Sequence, residues 1–257
     1  MSSAMLILGF DDYEEQSRKL SESLAIPCRM IQRHLFPDGE SKLTLPGSVP
    51  EHVIICRSLD HPNEKLLELL LAAKTARQLG AKELTLVAPY LCYMRQDKAF
   101  HPGEAISQPI VGKFIAELFD NVVTVDPHLH RIQHLEQAVP ATHAITLSAT
   151  SLMAGFLHEH INDPILLGPD SEAEQWVSAV AAPGELDYGV CKKIRSGDKD
   201  VEITLPEINL SGRSVVIVDD VASSGQTLAV AAKLCISEKA QHVDVLVTQA
   251  QIAGDAK

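Results

Sequence analysis

The sequence predicts an α/β protein with largely parallel sheets, divided into two domains of similar size. Three observations predict it. Short β-rich runs alternate with helical stretches from one end of the chain to the other, the pattern of strands joined by crossover helices. A chain of 257 residues stands at the length where a single hydrophobic core stops growing. Its 46% hydrophobic content is enough to fill two ordinary cores.

The first run, Met5–Gly9, reads MLILG and is followed by a helical segment, Glu14–Leu24. His52–Cys56 is the next strand, and the helix expected over 64–79 places Leu66, Leu67, Leu70, Ala73 and Ala76 on one stripe at three and four spacings, with Gly80 to end it. A strand at 84–88, a helix at 110–119 and a strand at 122–125 complete the first set. The alternation restarts near Ala144, so the expected domains are residues 1–143 and 144–257. The second set comprises a helix at 148–160, a strand at 164–167, a helix at 172–180, a strand at 215–218, a helix at 227–239 and a strand at 243–247, without an obvious closing helix. The sequence shows no internal repeat and no low-complexity linker.

Composition excludes several classes of function. A net charge of −12 argues against a protein that coats nucleic acid, where lysines and arginines neutralise phosphates, so any phosphate site has to be local. The longest apolar runs fall short of the roughly 20 residues that cross a bilayer, and no basic residue precedes the short N-terminal apolar run. The expectation is a cytoplasmic protein without a membrane partner. Cys28, Cys56, Cys92, Cys191 and Cys235 are odd in number and form no C-x-x-C pair, which predicts reduced thiols acting as small buried hydrophobes.

The most informative segment is SVVIVDDVASSGQT, residues 214–227. Its β-formers deliver Asp219 and Asp220 to the expected C-terminal end of a strand, where open α/β sheets bind ligands. If the chain turns there, both carboxylates face a sugar and accept from its hydroxyls. Ala222, Ser223, Ser224, Gly225 and Thr227 then bring backbone N–H groups and hydroxyls to a helix N-terminus, which favours a phosphate. The alternative is an ordinary strand-turn-helix with a capping serine and solvated aspartates.

This segment resembles the motif that binds 5-phosphoribosyl 1-pyrophosphate (PRPP) in type I phosphoribosyltransferases and PRPP synthetases, with Ser224 where threonine is commoner. Further segments are similar to the ribose-phosphate pyrophosphokinase family. RHLFPDGES, residues 33–41, resembles its F-x-D-G-E nucleotide loop; Pro37-Asp38-Gly39 is a turn signal that exposes Phe36 to a purine face. APYLCYMRQDKAFHPGEAIS, residues 88–107, resembles the P-Y-x-x-Y-x-R-Q-D loop, and a guanidinium such as that of Arg95 suits a triphosphate. VTVDPHLHRIQ, residues 122–133, matches the family at Asp126, His128 and Gln133, with Pro127 for leucine and His130 a weaker candidate. PILLGPDSEAEQW, residues 164–176, resembles the S-P-D-x-G-G pyrophosphate loop, but Glu172-Ala173 replace the glycine pair. GVCKKIRSGDKDVEI, residues 189–203, is similar to the K-x-R segment, against the alternative of a charged β-hairpin around 196–198.

The resemblance implies two domains of type I phosphoribosyltransferase-like fold, nucleotide-side first, in a short or C-terminally truncated family member. It implies transfer of the β,γ-diphosphate of ATP to the C1 hydroxyl of ribose 5-phosphate, with Mg²⁺. Phe36, Asp38, Glu40, Arg95 and Gln96 would bind ATP. Asp219 and Asp220 with Ser223, Ser224, Gly225, Gln226 and Thr227 would bind ribose 5-phosphate. His128 and Asp170 would serve the metal, and Lys193 and Arg195 would be catalytic. A homo-oligomer is also implied. Two other readings stay open at this point: a phosphoribosyltransferase that consumes PRPP, and a catalytically silent regulatory relative.

Overall fold

The computed structural model describes residues 4–129, 131–196, 200–223 and 225–251, with the backbone alone for 193–196 and 200–202. Two compact units comprise residues 1–147 and 148–257. Their division falls four residues past the expected boundary, because the strand that opens at His143 pairs with its predecessor in the first sheet.

The first unit runs β1 (Met5–Gly9), α1 (Glu14–Leu24), β2 (Cys28–Met30), β3 (Gln32–Leu35), β4 (Ser41–Thr44), β5 (His52–Cys56), α2 (Pro62–Gln78), β6 (Glu83–Val87), α3 (Ser107–Leu118), β7 (Asn121–Val125) and β8 (His143–Leu147). Six strands form a parallel sheet in the order β2-β1-β5-β6-β7-β8, and β3 and β4 form a separate antiparallel hairpin. Leu6, Leu8, Val53, Ile55, Leu84 and Leu86 are buried with Leu69, Ala72, Ala73 and Ala76 of α2 in one core. The stripe expected on α2 is therefore corrected. Leu67 is exposed, whereas Glu68 and Leu69 are buried, because Glu68 is turned inward to meet Arg57 after β5.

The second unit runs α4 (Thr150–His160), β9 (Ile165–Gly168), α5 (Glu174–Ala181), β10 (Tyr188–Val190), β11 (Lys192–Ser196), β12 (Asp200–Thr204), β13 (Ser214–Ala222), α6 (Gln226–Ser237) and β14 (His242–Ala250). Its sheet has the order β10-β9-β13-β14, all parallel, and β11 and β12 form an antiparallel pair. Val216 and Val218 pack with Val177 and Val180 of α5, while Ile217 packs with Leu228 and Ala231 of α6. Alternate residues of β13 thus bury on opposite faces.

The sequence shows no repeat, yet the connectivity repeats. Each unit has a first strand, a helix, a second strand, a hairpin and a third strand that pairs with the first on its other side. Such a reversal is a topological switch point, and the crevice at the carboxyl ends of the two diverging strands is where open α/β sheets take ligands. The switch point lies between β1 and β5 in the first unit and between β9 and β13 in the second. The leading strands end in Gly9 and Gly168, where a side chain would press on the element that follows: a Cβ at Gly9 would stand 2.7 Å from Ser17 of α1.

Candidate active site

In the second unit, β13 does not end before its aspartates. It pairs with β14 through Asp219↔Val247 and on to Ala222↔Ala250. The chain does not turn at the pair as expected, because the strand continues past it, and the two carboxylates stay close enough to interact. Asp220 is buried at 2% exposure, and Asp219 is half-buried. Asp219 lines a polar concavity of about 70 Å³ together with Asp170, Ser223, Gly225 and Thr227. Asp220 is absent from this lining.

The loop behind the strand delivers the rest. Gly225 has φ 69°, a left-handed conformation that admits a glycine without strain, and its carbonyl accepts the first helical bond from Ala229 at 2.8 Å. Gln226 and Thr227 open α6, a twelve-residue helix, so the positive end of its dipole faces the concavity that Thr227 lines. Ser224 lies outside the described residues. Asp170 follows β9, and its carboxylate accepts from Glu172 N–H at 3.1 Å. Lys193 and Arg195 lie on β11, paired with Ile203 and Val201; their side chains lie outside the described residues. The hairpin weighed as an alternative for this segment is present as the β11–β12 pair.

Among the described residues the concavity is lined by no cation. Burial, then the negative charges of Asp220 and Asp170, push the Asp219 carboxyl up to about 7. Its Oδ1 accepts Asp220 N–H at 3.0 Å, which only partly offsets that rise. Among the described residues no three of His, Cys, Asp and Glu cluster as a closed metal cage. The donors fit Mg²⁺ nonetheless, because that ion is commonly held by one or two carboxylates plus substrate phosphates and water. Asp170 and Asp219 are such a pair.

In the first unit the expected nucleotide residues stand on loops. The turn between β3 and β4 is closed by Phe36 N–H to Glu40 O at 2.8 Å and Gly39 N–H to Phe36 O at 2.9 Å. Phe36 is 38% exposed, with its ring edge-on to His34 at 4.7 Å, and Asp38 Oδ1 accepts Glu40 N–H at 3.2 Å. After β6, Arg95 is exposed, and the first turn of α3 pins the loop. Gln108 donates to Met94 O at 2.9 Å from its side chain and to Gln96 O at 3.1 Å from its backbone. After β7, Asp126 is buried with φ 41°, an uncommon backbone for an aspartate, and its N–H donates to Leu147 O at 2.9 Å. His128 is half-buried and Gln133 exposed, and His130 lies outside the described residues. The structure joins these two loops through an ion pair between Asp97 and Arg131.

Sequence reasoning missed the charged network between β1, β5 and α2: Asp12, Arg57, Lys65 and Glu68. A signal existed, since Arg57 directly follows the apolar run VIIC and Glu68 interrupts the leucines of LLELLL. The five thiols are free, and burial raises each of them, Cys92 to about 12 and Cys191 to about 11. Among the described residues no helix is long and apolar enough to cross a membrane.

Comparison with known proteins decides the family. Residues 5–122 match the N-terminal domain of ribose phosphate pyrophosphokinase, and residues 138–256 match the phosphoribosyl transferase domain. A ribose-phosphate pyrophosphokinase of Saccharolobus solfataricus is 34% identical over 98% of this chain and 87% of its own. The chain belongs to the ribose-phosphate pyrophosphokinase family. One from Methanopyrus kandleri is 30% identical over 98% of this chain and 86% of its own. The phosphoribosylpyrophosphate synthetase of Mycobacterium smegmatis shares the fold, with a TM-score of 0.87 at 22% identity over 99% of this chain and 84% of that one. As a pyrophosphokinase of this family the protein is an enzyme, a transferase of the kinase class serving nucleotide biosynthesis, on a phosphoribosyltransferase-like fold.

Proposed function

We propose that the protein transfers the β,γ-diphosphate of ATP to the C1 hydroxyl of ribose 5-phosphate, releasing AMP and forming PRPP. The observation that carries this reading is the switch point of the second unit. There Asp219 faces a polar concavity between Asp170 and the N-terminus of α6, with Gly225 letting the backbone approach an anion. A carboxylate accepts from sugar hydroxyls, and the Ser223, Ser224, Gly225, Gln226 and Thr227 segment with its helix end takes the 5-phosphate. Asp220, buried beside Asp219, raises the demand for a cation and for hydroxyl donors.

Mg²⁺ supplies charge neutralisation on the diphosphate when it is bound, and Asp170 with Asp219 would hold it. His128 is assigned to the metal on the motif alone. Phe36, Asp38 and Glu40 on the β3–β4 tip, with Arg95 and Gln96, position ATP. The C1 hydroxyl attacks the β-phosphorus in line as the bond to the α,β-bridging oxygen breaks; that oxygen leaves with AMP and the hydroxyl proton passes to solvent. Lys193 and Arg195 stabilise the charge that moves towards AMP. Homo-oligomerisation belongs to the same proposal, on the resemblance alone.

The test is ³¹P NMR of the protein with ATP, ribose 5-phosphate and Mg²⁺, in the wild type and in Lys193→Ala and Arg195→Ala. The expected result is AMP and a new diphosphate ester from the wild type, with turnover about a hundredfold or more lower in each variant at nearly unchanged substrate binding. Unchanged turnover in both variants removes these residues from the mechanism. Ligand binding without product in the wild type establishes instead a silent regulatory relative.

A further inference from the structure

At the switch point of the first unit, the crevice that open α/β sheets leave for a ligand is closed from within. Asp12 follows β1 and Arg57 follows β5. Arg57 is fully buried, donates from Nε and Nη2 to the Asp12 carboxylate at 3.0 and 2.8 Å, and lies 4.0 Å from the centroid of the Phe10 ring. Its Nη1 stands 2.6 Å from Oε2 of Glu68, which is 1% exposed; the two atoms are not aligned as a good hydrogen bond, so the contact is electrostatic. Glu68 turns its other oxygen outward. Ser41 Oγ donates to Oε1 at 2.7 Å, and Arg33 Nη1 lies 3.7 Å from the same atom while Nη2 donates to Asp11 at 3.2 Å.

Arg33 is in β3 and Ser41 opens β4, so each strand of the hairpin is tied to this plug, and Ser41 sits one residue beyond the tip. A two-stranded hairpin is marginal by itself, and β3 is exposed along its length, so a few ties decide how its tip is held. A carboxylate fixed by a buried guanidinium has no solvent alternative, which makes it a rigid acceptor.

We propose that Glu68 is a positioning residue for the nucleotide. Through Ser41 it fixes the tip carrying Phe36, Asp38 and Glu40, and Arg57 holds its carboxylate in place. The inference rests on the nucleotide role assigned above to that tip. The experiment measures MgATP affinity by calorimetry and steady-state kinetics on the full chain carrying Ser41→Ala, Ser41→Thr, Glu68→Gln or Phe36→Ala, with thermal unfolding of each. Ser41→Ala is expected to weaken MgATP about tenfold, the scale of one hydrogen bond to a charged group. The KM for ribose 5-phosphate and kcat stay as in the wild type, and Ser41→Thr restores MgATP affinity. Glu68→Gln shifts the same quantity further; should it unfold, the serine pair carries the test alone. Weakened MgATP in Phe36→Ala beside unchanged affinity in Ser41→Ala overturns the tether. Unchanged affinity in Phe36→Ala overturns the nucleotide reading itself, and the tether with it. Equal loss for both substrates in Ser41→Ala, unrelieved by threonine, marks a merely structural hydroxyl and also overturns it.

Discussion

The two switch points occupy equivalent places in a repeated topology and treat charge in opposite ways. In the first unit an aspartate after β1 faces an arginine after β5. Burial works to raise the Asp12 carboxyl, but Arg57 and Lys65 outweigh it and hold it below its ordinary value. In the second unit an aspartate after β9 faces another aspartate on β13, and burial with like charge holds Asp219 far above its ordinary value. One crevice is neutralised by the protein itself and stands as a support. Among the described residues no cation lines the other crevice, and its carboxylates carry a demand for cations or hydroxyl donors. The same topology therefore carries an arginine after β5 at one switch point and an aspartate on β13 at the other, and the charge balance differs accordingly.

The largest expected effect breaks the neutralised crevice. Arg57→Met leaves Asp12 and Glu68 without their buried partner, and a loss of about 3–5 kcal/mol in unfolding free energy is expected, read by denaturant titration. A loss below about 1 kcal/mol would mean that water already reaches the pair.

The opposite sign is expected in the other crevice. In the unfolded chain Asp219 gives up its proton near 3.8, and in the folded protein near 7. The folded state thus holds the extra proton between those values, so this group's contribution is fully present below pH 4 and is lost as pH rises through 7. Asp219→Asn removes that loss. The variant is expected to match the wild type near pH 4 and to exceed it by on the order of 2 kcal/mol at pH 8, while failing to gain stability from ribose 5-phosphate. A variant that is less stable at pH 8, or that keeps the ligand's stabilisation, contradicts the substrate-site assignment.

The smallest effect sharpens the pocket's floor. Gly225→Val forces a branched side chain into a left-handed backbone, at a cost of about 1–2 kcal/mol. It is expected to weaken ribose 5-phosphate far more than MgATP in parallel calorimetric titrations. Equal weakening of both would point to general misfolding.

Much of this was legible before any coordinates. Met5–Gly9, Glu14–Leu24 and His52–Cys56 occupy the residues expected of them, because their apolar patterns lie within single elements. Gly225 ahead of α6 and the FPDGE turn were equally readable, since glycine and proline chemistry is local. Partnership was not. That β13 runs through its aspartates to Ala222 depends on β14 pairing alongside. That Arg57 is buried depends on Asp12 and Glu68, 45 and 11 positions away, arriving at the same crevice. The sequence alone therefore determined the family and a framework of strands and helices, without the short strands at 28–30, 143–147 and 188–190 or the hairpin strands at 32–35 and 41–44. Only the tertiary structure decided which charges meet, because a side chain's cost or benefit is set by neighbours that the chain brings together from afar.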